Sequence, residues 1–112
     1  MDKTSLTDLA QRHLSTARGS AAGRSAETIV GGHARTLRQT VISLVAGQRL
    51  DEHENPGEAT VHVLSGRVRL VAGEESCAAA AGELLSVPQR RHSLEALEDS
   101  AVLLTVAKLA HP

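Results

Sequence analysis

The 112-residue chain contains no phenylalanine, tyrosine or tryptophan. Aromatic side chains supply the largest single apolar areas in most cores. Any core here must therefore be assembled from small aliphatic contacts, drawn from 15 Leu, 10 Val, 2 Ile and 17 Ala. The same absence removes the stacking platforms on which proteins hold single-stranded nucleic acid. A lone cysteine, Cys77, excludes an intramolecular disulfide and a thiolate zinc cluster. Neither sign of charge dominates: 12 Lys and Arg stand against 13 Asp and Glu, a net charge of −1. Arg18, Arg24 and the pair Arg90–Arg91 are too sparse to track a phosphate backbone. No apolar run is long enough to span a bilayer, and Met1–Thr4 has neither the basic nor the apolar region of a signal peptide. The expectations are no nucleic-acid partner, no membrane partner and a cytoplasmic location.

What is present fits one domain, since domains commonly hold about 100–200 residues. Leu6, Leu9, Ala10, His13, Leu14 and Ala17 recur at helical spacing, and Ser5 with Asp8 approximates a capping box. The pattern predicts a helix over residues 5–17 with His13 as a partly buried packing residue, then a Gly-rich linker through Ser25. From Ala26 the period changes to two. Short strands are predicted at 27–30, 37–45, 59–64, 67–71, 76–79, 83–87, 92–97 and 101–107, separated by Gly-rich or acidic turns. Ser65–Gly66 is a tight hairpin, and Val68 and Leu70 alternate with Arg67 and Arg69, so one face is buried and the other wet. Cys77, before the run Ala78–Ala81, reads as a small buried hydrophobe in a strand. The division expected is a helix and linker over residues 1–25 and an all-β barrel or sandwich over 26–112.

Two blocks of residues carry the chemistry. The first runs Gly47, five residues, His53, one residue, Asn55, three residues, Ala59, six residues, Gly66; the second runs Gly82, five residues, Pro88, three residues, His92. This spacing resembles the two motifs of the cupin family, in its small, single-domain, cupin-2 or RmlC-like form. The resemblance covers about residues 37–107. It implies an all-β, jelly-roll (double-stranded β-helix) barrel with a short N-terminal helix, commonly assembled as a homodimer. Cupins usually hold a divalent metal at the barrel mouth, on His, His and Glu or Gln from the first block and one more His from the second. Position by position, His53 and His92 match ligands, whereas Asn55 and Ala59 stand where the second His and the carboxylate would be. The segment Pro88–His92 is also one residue shorter than the family pattern and lacks its glycine.

His53 and Asn55, two apart on an extended segment, share a face, and Pro56–Gly57 then turns the chain. In the cupin register Ala59 points inward, while Glu58 and His62 point away. An amide oxygen is a poor ligand for a transition metal, and alanine has no donor. The expected pocket is therefore His53, Asn55 and His92, with no catalytic residue and no cofactor. The alternative is a weakly bound divalent transition metal on His53 and His92. A one-residue bulge would add Glu58, giving a set like the two-His-one-carboxylate triad of iron oxygenases. His62 is expected at the surface or in a dimer interface, and His33 and His111 in loops. Two functions compete: a non-catalytic cupin that binds a small molecule or acts as a regulatory partner, and a metal-dependent oxygenase or isomerase. Lewis-acid or oxygen chemistry needs a firmly held ion, so the missing donors favour the first.

Overall fold

The computed structural model of the chain describes residues 1–53 and 57–108, without the side chains of Glu52 and His53. One helix, α1 (Leu6–Arg18), precedes nine strands: β1 (Arg24–Val30), β2 (Leu37–Leu44), β3 (Arg49–His53), β4 (Gly57–Ser65), β5 (Arg67–Ala72), β6 (Glu75–Ala80), β7 (Leu84–Ser86), β8 (His92–Ala96) and β9 (Ser100–Lys108). They form two antiparallel sheets, ordered β1-β2-β9-β4-β7 and β3-β8-β5-β6. The all-β expectation holds. The linker predicted through Ser25 is shorter than expected, because β1 already begins at Arg24, paired with Leu44 at the far end of β2.

Every long strand places alternate residues between the sheets. Ile42, Leu44, Ala59, Val61, Val63 and Val102 from the five-stranded sheet meet Val68, Leu70, Ala79, Leu94 and Ala96 from the other. The apolar cluster between the sheets thus consists of branched aliphatics and alanine among the described residues. The hairpin after β4 turns at Gly66, with φ at 77°. A side chain there would strike the Asp99 carbonyl and the Ser100 hydroxyl, so only glycine fits.

Helix α1 starts where Ser5 Oγ accepts the Asp8 backbone N–H at 3.3 Å. Its apolar stripe lies on the outer face of the five-stranded sheet. Leu9 packs with Val41 and Leu103, flanked by Leu6, Ile29 and Leu64. Polar contacts also fix its placement. Ser43 Oγ, fully buried, donates to the Ala10 carbonyl at 3.2 Å. His13 bridges to β1, with Nδ1 2.6 Å from Ser25 Oγ and Nε2 2.9 Å from Glu27 Oε1. His13 is the partly buried packing residue expected, and its polar partners lie two apart on one strand face.

Cys77 corrects the sequence reading, because it is exposed. It pairs with the buried Leu70 and so occupies an inward register position. However, β6 is the edge of its sheet, and no strand of the opposite sheet pairs with it among those described. An inward position at an open seam is wet.

Candidate functional site

His92 opens β8 and is buried, with 4% of its surface exposed. Its Nδ1 lies 2.8 Å from the Arg90 carbonyl oxygen. A carbonyl can only accept, so Nδ1 is the donor in this contact. The ring lines a small interior cavity of about 20 Å³, walled otherwise by Ile42, Leu50, Val61, Leu70, Val87, Leu94, Val102 and Leu104. That is room for about one water molecule in an otherwise aliphatic chamber.

Hydrogen bonds hold the shortened prolyl segment that delivers His92. The Val87 backbone N–H donates to the Ala59 carbonyl at 3.0 Å. Gln89 Nε2 donates to the Gly57 carbonyl at 2.7 Å. The His92–Arg90 contact closes the turn. Gln89 was missed in the sequence. It stands in a segment that the family pattern marks by a glycine, and a polar side chain replacing backbone freedom was the available signal.

His53 ends β3, and its Cα pairs with His92 across the ladder. Leu50 pairs with Leu94, and the register shifts between Leu50 and His53, so β3 carries one extra residue there. Such a bulge re-registers the residues beyond it. It brings the two sequence-matched histidines to facing positions of one ladder. The His53 side chain and all of Asn55 lie outside the described residues, as does His111.

Ala59 is buried, 8% exposed, and its methyl belongs to the interior cluster. Glu58 is exposed and pairs with Ala107 in an unbroken register, on the outer side of β4. No bulge turns its carboxylate inward. His62, half-buried, pairs with Leu84 and Leu103, and His33 is exposed. Among the described residues, no group of three or more His, Cys, Asp or Glu side chains could hold a metal ion.

A cupin-domain family model matches residues 40–107. The chain belongs to the cupin family. Solved structures agree. A conserved protein of unknown function from Streptococcus pyogenes superposes at a TM-score of 0.73 and 31% identity, over 82% of this chain and 80% of that one. An RmlC-like cupin from Desulfovibrio desulfuricans gives 0.66 at 27% identity, over 75% and 81%. A cupin superfamily protein from Desulfitobacterium hafniense gives 0.71 at 14% identity over 77% and 78%, a likeness of fold alone. No curated protein sequence matches the chain. No helix among the described residues is long and apolar enough to cross a membrane.

Proposed function

We propose that this cupin is a non-catalytic binding barrel that takes a compact, partly apolar small molecule without a resident metal. Its polar contacts are His92, His53 and Asn55. The observation that carries the reading is the buried methyl of Ala59, at the position that matches the carboxylate ligand of the family motif. A catalytic zinc normally takes three protein ligands plus water. Among the described side chains, the interior wall offers one imidazole, His92, in an aliphatic setting.

We also propose that the protein works as a homodimer. The supporting feature is β1, whose outer edge pairs with no strand among the described residues and whose residues Ala26 and Thr28 are exposed. An open edge of this length invites pairing with a second copy. Light scattering at micromolar concentration is expected to report twice the 11.8 kDa chain mass, and a monomer would count against it.

The deciding experiment for the pocket is metal analysis of protein isolated without an affinity tag. Substoichiometric metal is expected. Tight, stoichiometric zinc, nickel or iron would overturn the reading in favour of a metal enzyme. The complementary variant, Asn55→His with Ala59→Glu, restores both missing donors beside His53 and His92. Its zinc affinity should rise by orders of magnitude, read as a zinc-dependent gain in Tm that the parent lacks.

A further inference from the structure

The two sheets are hydrogen-bonded internally, but β6 and β7, their facing edge strands, share no ladder. Between them lies a cleft of about 320 Å³. That volume is at the lower end of small-molecule pockets, which run from about 300 to 1,000 Å³. Leu70 and Leu85 form its buried floor, and Leu70 also lines the interior cavity beside His92. Leu70 is therefore a wall common to the cleft and to the interior cavity. At its rim, Leu84 is 62% exposed, an apolar side chain left in water beside the opening. Across the cleft, Arg90 pairs with Glu75 at 2.8 Å, and both side chains are substantially exposed.

We propose that this cleft binds a compact amphipathic monocarboxylate, with Arg90 holding the charged end and Leu70, Leu84 and Leu85 the apolar end. The proposal rests on the binding-barrel reading in placing the ligand at the barrel mouth. Arginine presents a planar fork that matches a carboxylate with two parallel hydrogen bonds. An exposed ion pair is weak and easily opened, so a ligand carboxylate can displace Glu75 from Arg90 at little cost. Among the described residues, Arg90 is the only cation on the lining, and Glu75 stands beside it. One guanidinium next to one carboxylate suits a monoanion and disfavours a phosphate dianion.

Cys77 lines the same cleft, is exposed, and is the only cysteine, so its reactivity reports occupancy. The test measures the rate of Cys77 labelling by a neutral maleimide in the full-length protein, titrated with hexanoate or hexanamide. Hexanoate should slow labelling saturably, and hexanamide should need about tenfold higher concentration, since charge-assisted bonds are the stronger kind. Arg90→Gln should abolish that preference, and Arg90→Lys should restore part of it. Glu75→Gln should tighten hexanoate protection several-fold. The circular dichroism spectra of these surface variants should match the parent. Absence of saturable protection, equal protection by the amide, or protection indifferent to Arg90→Gln would each overturn the proposal. His92 imidazole resonances, followed by NMR in the same titration, separate it from the binding-barrel reading. A His92 shift without Cys77 protection sinks the cleft and leaves the barrel reading. Protection of Cys77 in a protein found to carry stoichiometric metal does the reverse.

Discussion

The outer face of the five-stranded sheet lies under α1, whereas that of the four-stranded sheet carries Arg67, Arg69, Glu95 and Ala78 in open solvent or at its margin. The same alternation of side chains builds both. Where a helix covers the outside, both faces of a strand must be apolar, and the strand reads as a continuous run. Val41, Ile42, Ser43 and Leu44, consecutive in β2, are all buried. Where nothing covers the outside, the strand alternates, as β5 does with Arg67, Val68, Arg69 and Leu70. The change from run to alternation therefore marks the docking site of the helix.

The largest effect belongs to the layer that both sheets share. Leu44 is the largest fully buried side chain, 1% exposed, and an interior without aromatics has little freedom to close over a gap. Leu44→Ala should cost about 3 kcal/mol, within the usual range for such truncations, measured by urea unfolding. A loss below about 1 kcal/mol would mean that the small-residue core collapses around vacancies.

The comparison itself is tested by matched outer positions. Leu9→Ala removes the helix residue that packs on Val41 and Leu103 and should cost about 2 kcal/mol. Arg69→Ala, whose guanidinium lies 3.8 Å from Glu95 on the bare face, should change stability by less than about 0.5 kcal/mol. Equal losses would erase the distinction between covered and bare faces. A smaller step is His13→Ala, which removes contacts to Ser25 and Glu27 and should cost about 1 kcal/mol.

These contrasts also explain how much could be read in advance. The barrel was legible because turn residues punctuate short alternating strands, and because Gly47, His53 and Gly66 keep the spacing of the first motif and Gly82 with Pro88 the start of the second. The helix was legible from Leu6, Leu9 and Leu14 at helical spacing, with Ser5 before them. Cys77 was misread because its neighbours Ala78 and Ala79 look like core, and nothing local tells a central strand from an edge strand. Edge position is a property of topology, set by which distant strand pairs. The β3 bulge is hidden for the same reason, since it exists only against β8. Gln89 was missed because its partner, the Gly57 carbonyl, lies across the barrel mouth.

The smallest effect expected lies where α1 ends, at Asp99 in the turn between β8 and β9. Its Oδ1 accepts the Ala46 backbone N–H at 2.8 Å, and its Oδ2 accepts Arg18 Nε at 2.9 Å. The Ala46 hydrogen bond, and after it that of Arg18, hold the carboxyl below the ordinary aspartate range, and slight desolvation opposes them. The folded state thus binds fewer protons than the unfolded state in acid. The stabilisation is complete above about pH 4, where an unfolded aspartate is already ionised, and is lost as pH falls through the lowered value. Asp99→Asn keeps an acceptor for Ala46 but loses the charge. Its Tm should lie slightly below the parent's at pH 7, and the two curves should converge as the pH is taken below about 4. Arg18→Ala should narrow the acid-dependent gap only in part, since the Ala46 bond is the larger cause. A gap that persisted unchanged to pH 2.5 would show that Asp99 holds the helix end to the turn by shape and not by charge.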